Sequence, residues 1–122
     1  MKIKLSSNNI NINIELFDTP TAKKIMEALP IKAIANRWGD EIYFSVPVES
    51  ELEENAKEVL GIGDVCFWVS GRSIAIFFGK TPASKKDEPR AIEPVNIVGK
   101  VIGDVNVLKN INSGDTIRLE KI

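Results

Sequence analysis

No histidine occurs among the 122 residues. That removes the side chain most often used as a general base near neutral pH, and the commonest transition-metal ligand. The single cysteine, Cys66, has no partner for an internal disulfide and reads as a buried thiol in a cytoplasmic protein. No cysteine pair or carboxylate string has the spacing of a metal site, so no metal and no cofactor are expected. No apolar run approaches the roughly 20 residues of a membrane span. The opening "MKIKLSSNN" has neither a long apolar segment nor a cleavage pattern and does not read as a signal peptide. An excess of either charge is missing too. The 16 basic and 17 acidic side chains leave a net charge of −1, which gives no electrostatic case for nucleic acid or an anionic membrane as partner. Any catalysis must rest on carboxylates, hydroxyls, lysines, arginines, the one tyrosine, or geometry alone.

What is present suits one domain spanning residues 1–122, with 43% apolar residues for a single core. "NININIELF" (Asn9 to Phe17) alternates polar and apolar, placing Ile10, Ile12, Ile14 and Leu16 on one buried face of a strand. "DTPTAKKIMEALP" follows as a helix. Asp18 or Thr19 caps it, Pro20 suits its first turn, and Ala22, Ile25, Met26 and Leu29 form its core stripe before Pro30 ends it. "KIKL", "IKAIAN", "EIYFSV", "DVCFWV", "SIAIFF", "VNIVGKVIG" and "DTIRLEKI" read as further strands. The count comes to about eight, with no βαβ alternation, so the fold class is mainly β: a closed, mostly antiparallel barrel. "DVNVLKNI" is a candidate short second helix with Leu108 and Ile111 inward. "ESELEENAKEVL" is open between solvated helix and loop. "KTPASKKDEPRAIEP", with three prolines, is a long surface loop. Ile12, Ile14, Leu16, Ile25, Leu29, Phe77, Val98 and Val101 are expected to include most of the core.

Seven aromatic residues fall between positions 38 and 78. Adjacent strand residues point to opposite faces, so each of the pairs Tyr43–Phe44, Phe67–Trp68 and Phe77–Phe78 sends one ring into the core and one outward. Three outward rings on neighbouring strands make an apolar patch. Such a patch is either a binding surface or is covered by a loop or a subunit partner. The sequence leaves the oligomeric state open.

The order of these segments resembles the cyclophilins. "NINIELFDTPTAKKIMEAL" is similar to the cyclophilin opening, in which a strand ending Glu-Leu-Phe-Asp enters a helix through a proline. "GDEIYF", "GDVCFWVSG", "IAIFFG" and "NIVGKVIGDVNVLKNI" follow in the family's order. The shortness of the chain, with "WGDEIYFSVP", "GDVCFW" and "IFFGKTPAS", looks most like the compact cyclophilin-like proteins of bacteria and archaea that have no assigned activity. The resemblance implies a closed eight-stranded antiparallel β-barrel with one or two short helices. It also implies that Phe77 points into the barrel and Phe78 into a cleft. The departures concern catalysis. Cyclophilins are peptidyl-prolyl isomerases whose key arginine follows a Phe-His pair and precedes Phe-Met-x-Gln-Gly-Gly. No such segment lies between Leu29 and Glu41, and Arg37, in "ANRWG", is the only arginine nearby. The family's glutamine before the double phenylalanine is Ile76, its cleft histidine falls at about Val95, and its cleft tryptophan is missing from "PASKKDEPR".

These readings lead to an expected concave site lined by Trp38, Tyr43, Trp68 and Phe78, with Glu41 beside it and the Thr81 hydroxyl at its rim. The expected function is binding of a small molecule or peptide in that aromatic cleft, without efficient prolyl isomerase activity. The alternative is a divergent isomerase with Arg37 as its arginine. A third reading makes Asp40, Glu41 or Asp64 an acid or base. Against it, Gly-Asp pairs are turn chemistry, and Glu41 reads as a solvated strand-edge carboxylate.

Overall fold

The computed structural model describes residues Met1–Ile122. Strand β1 (Lys2–Ser7) turns at Asn8 and Asn9 into β2 (Ile10–Leu16), pairing antiparallel with it. Asn8 takes a positive φ of 54°, which asparagine tolerates better than most side chains. Ile12, Ile14 and Leu16 are buried as the alternation requires, and Ile10, at the strand's start, is half-buried. Helix α1 (Pro20–Ala28) begins as read: the Thr19 hydroxyl accepts the Ala22 N–H at 3.1 Å, and Pro20 occupies the first turn. Thr21, Ala22 and Ile25 are buried. Leu29 differs from expectation and is only partly buried. It is the C-cap residue with extended ψ (147°), so it has already left the helical face that carries Ile25.

The remaining elements are β3 (Ile31–Ile34), β4 (Asn36–Arg37), β5 (Glu41–Ser45), β6 (Lys57–Val59), β7 (Asp64–Trp68), β8 (Ser73–Phe77), β9 (Arg90–Ile102), a 3-10 helix (Val105–Asn110) and β10 (Thr116–Lys121). The 3-10 helix buries Leu108, and Ile111 after it is fully buried. The hydrogen-bonded order is β3-β10-β1-β2-β9-β7-β8-β5-β4, with β6 attached to β9, and every pairing is antiparallel. Two expectations are corrected here. There are ten strands rather than eight, because "IKAIAN" divides at Ala35 into β3 and β4 and "ESELEENAKEVL" contributes β6. The sheet is also not a closed barrel: β3 and β4 end the ladder without pairing to each other. At the break, the Ala35 N–H donates to the Asp115 carbonyl (2.8 Å) and the Ala35 carbonyl accepts from the Gly114 N–H (2.9 Å). No helix is long and apolar enough to cross a membrane.

Parity sorts the side chains of β5, β7 and β8 onto two faces. Ile42 and Phe44, Val65 and Phe67, and Ile74, Ile76 and Phe78 enter a 24-residue core shared with β1, β2, α1 and β10. The opposite face carries Cys66, Ala75 and Phe77, which pack with Leu60, Ala91 and Val95 into a second cluster of six buried residues, flanked by Tyr43 and Trp68. Strand β9 serves both. Its later half pairs with β7 and β2, and its earlier half carries β6 over the outer face. Pro94 lies in that earlier half, where the register with β6 shifts, a position that tolerates the missing N–H.

Candidate functional site

The second cluster is incompletely filled. A cavity of about 120 Å³ remains, lined by Trp38, Glu41 and Tyr43 from the β4–β5 hairpin, Trp68 from β7, Ala75 and Phe77 from β8, and Ala91, Ile92 and Val95 from β9. For scale, an apolar protein cavity of about 150 Å³ takes up benzene.

The hairpin places its three residues by simple geometry. Gly39 and Asp40 form a two-residue loop in which Gly39 has φ +62°, a conformation that disfavours side chains. Trp38 and Glu41 exchange both backbone hydrogen bonds across it, at 2.9 and 3.2 Å. Residues paired in this way project to the same face, and Tyr43, two residues further on, follows Glu41. Across the next ladder Glu41 pairs with Phe77 and Tyr43 with Ala75, and beyond it Cys66 also pairs with Ala75. Alanine at 75 leaves the floor open between larger neighbours.

The Trp68 ring is fixed on three sides. Its edge-to-face contact with Tyr43 has centroids 5.9 Å apart at 89°. Its indole N–H donates to Glu93 Oε1 at 2.6 Å. Gly71 lies beneath it, where a Cβ would stand only 2.2 Å from the ring. Glu93 also accepts from the Ser70 hydroxyl, and these two bonds, Ser70 first, hold its carboxyl below the usual carboxylate range.

Glu41 is the one charged side chain of the lining. It is 7% exposed, and its Oε1 is buried without a hydrogen-bond partner. The solvated strand-edge carboxylate expected from the sequence is therefore a buried one. Burial raises its pKa from 4.5 to about 8, since an ionised carboxylate without partners is poorly tolerated in an apolar surround. Its neighbour Cys66 is likewise pushed up by burial, and then by the nearby Asp64 and Glu41.

Of the remaining candidates, Arg37 lies outside the cavity. Its guanidinium donates to the carbonyls of Gly39 (2.6 Å), Lys109 and Ile111 (both 3.1 Å) and to Asp40 Oδ1 (3.1 Å), and it lies 5.0 Å above the Phe78 ring. It ties the hairpin to the end of the 3-10 helix. Phe78 is 4% exposed and belongs to the main core, while Phe77 lines the cavity, the reverse of the parity implied by the resemblance. Thr81 is buried within its own loop, donating to the Arg90 carbonyl at 2.6 Å and accepting from Ala83 N–H at 3.2 Å. Asp64 accepts from the Gly61 N–H (2.6 Å) and from Lys100 (3.2 Å), the turn chemistry expected of it. The structure thus brings together Trp38, Glu41, Tyr43 and Trp68, and adds Phe77, Ala75 and the β9 residues. The apolar run "SIAIFF" gave no parity signal for Phe77, but small Ala75 on its face was available as one.

The model of the family described as cyclophilin-like matches residues 1–120. The chain belongs to the cyclophilin-like family. Among solved structures, the solution structure of a hypothetical protein from Archaeoglobus fulgidus is similar with a TM-score of 0.84 and 39% identity, covering 100% of this chain and 95% of that one. No curated protein matches. In this cyclophilin-like protein the only carboxylate in the aromatic cavity comes from the β4–β5 hairpin, and the only arginine of that hairpin is committed to holding it in place.

Proposed function

We propose that this cyclophilin-like protein is a binding module. It takes a small molecule, or the side chain of a peptide, into the cavity between the β4–β5 hairpin and β9, and it is not an efficient prolyl isomerase. The observation that carries this reading is the cavity itself: aromatic walls held rigid by their own contacts, with one buried, unpartnered carboxyl. Ligand sites commonly combine apolar walls with a few convergent polar groups in this way. Isomerase chemistry requires an arginine free to hydrogen-bond the twisted amide. Arg37 is engaged by four acceptors and lies away from the cavity. Removing one such transition-state donor costs about two to three orders of magnitude in rate.

The test combines binding and turnover. Toluene or indole-sized probes should perturb the fluorescence of Trp38 and Trp68, and Trp68→Ala should abolish most of that response by removing a wall. A protease-free assay on Xaa-Pro peptides should show rates far below those of a typical cyclophilin. Cyclophilin-like rates abolished by Arg37→Ala would overturn the reading in favour of the isomerase.

A further inference from the structure

We propose that the ligand of this cavity is a small organic cation, an ammonium head group carrying methyl or alkyl substituents, with Glu41 as its counter-ion. The inference rests on the cavity being a ligand site and names the class of ligand. Aromatic rings present negative π faces, and clusters of them beside a carboxylate are suited to alkylated ammonium ions. Four aromatic residues, Trp38, Tyr43, Trp68 and Phe77, share this cavity with Glu41. No lysine or arginine lines it. An anion would find no donor from Trp68, whose N–H is already given to Glu93. Glu93, ionised beside that ring, adds negative potential on the same side. The volume of about 120 Å³ accommodates a head group rather than an extended molecule. Glu41 Oε1, buried and unpaired, finds in such a cation the partner that the protein does not supply.

The charged and titratable groups around Glu41 do not provide that partner. In its own hairpin, Arg37 and Asp40 are bonded to each other. On β8 its paired residue is Phe77. From β7, Cys66 is held neutral by burial, and Asp64 is paired with Lys100 of β9. Lys57 of β6 is exposed. Tyr43 lines the cavity with a phenol, which supplies no cationic group.

A cation requires the carboxylate, so binding below the pKa of Glu41 must release a proton. Affinity should rise about tenfold per pH unit up to about 8 and level off above it. A neutral ligand that accepts a hydrogen bond from protonated Glu41 shows the opposite trend. Choline, whose charge does not titrate, is the probe. Its neutral isostere, with a tert-butyl group in place of the trimethylammonium, is the control. Acetylated, amidated trimethyllysine tests whether the head group comes from a protein side chain instead of a free small molecule. Fluorescence titrations of the intact chain should show choline or the trimethyllysine binding at least about tenfold tighter than the isostere at pH 9. Glu41→Gln, its folding checked by its melting curve, should weaken the cations about tenfold at pH 9 and abolish the rise of their affinity with pH. Equal binding of choline and isostere, or a cation affinity that is flat or falling with pH in the unmodified protein, would overturn the cation while leaving the binding site. Silence of all these probes and of toluene would remove the binding reading too.

Discussion

Glu41 is where residue-scale chemistry is most exposed to measurement. Its folded pKa of about 8 lies above the value near 4.5 of the unfolded chain. Between those values the folded state holds a proton that the unfolded state has lost. Stability contributed by the neutral carboxyl is therefore complete below about pH 4.5, falls as pH rises through the window, and stops falling above about 8. The slope is at most about 1.4 kcal/mol per pH unit. Glu41→Gln keeps the shape and removes the ionisation. Denaturant melts across this range should show the variant matching the parent at pH 4 and exceeding it by a few kcal/mol, on the order of the integrated slope, at pH 9. Parallel pH profiles for the two proteins would show that Glu41 is not the buried acid described. The carboxyl to which the proposed ligand would pair is thus one whose ionisation costs the free protein stability.

At the scale of elements, β9 and the segment between β5 and β6 depend on one buried side chain. Asn96 is fully buried and uses both ends of its amide. Its Oδ1 accepts the Glu53 N–H at 2.8 Å, and its Nδ2 donates to the Glu51 carbonyl (2.9 Å) and the Thr21 hydroxyl (3.1 Å). Glu53 in turn accepts from the Thr21 N–H at 2.9 Å. A segment with little regular structure is thereby fixed to α1 and to β9. Asn96→Ala leaves buried donors and acceptors unmet, and the loss should be at least about 1–3 kcal/mol in a urea titration. Local proteolysis should become easiest between Glu49 and Asn55. A loss under about 0.5 kcal/mol would mean that the segment holds itself. Elements were mostly legible in sequence where a single periodicity ran unbroken, as in "NININIELF" and the helix after it. They were least legible in "ESELEENAKEVL", whose short strand β6 has all three residues exposed and so carries no hydrophobic pattern.

For the whole molecule, two apolar clusters divide the work between the faces of one sheet. The larger carries most of the burial, and the smaller holds the cavity. Neighbours in sequence should therefore differ sharply on truncation. Phe44, fully buried in the larger cluster, should cost about 3–5 kcal/mol as Phe44→Ala. Tyr43→Ala, one residue away on the cavity face and only half-buried, should cost clearly less while weakening ligand-induced fluorescence changes. Equal destabilisation by the two substitutions would contradict the division. The same arrangement separates what makes the family recognisable from what makes the cavity: the matching segments supply strands and core, while the cavity depends on which residues face outward.

Alternation, caps and turn residues in the sequence determined the mainly β class, the start and end of α1, and the expectation that each aromatic pair would split between two faces. These are local signals, because side-chain direction in a strand repeats every two residues. Tertiary structure decided the parity of β8, the number of strands, the open ladder and the burial of Glu41. In Ser73–Phe77 every residue is buried, so apolarity could not say which ring, Phe77 or Phe78, belonged to which side. Glu41 opens its strand as any solvated carboxylate would. Its surroundings come from far along the chain: Phe77 of β8 is paired with it, and Ala91, Ile92 and Val95 of β9, some fifty residues later, line the same cavity. A local pattern records that a face is apolar, but which distant segment covers it, and how completely, is set only when the strands pair.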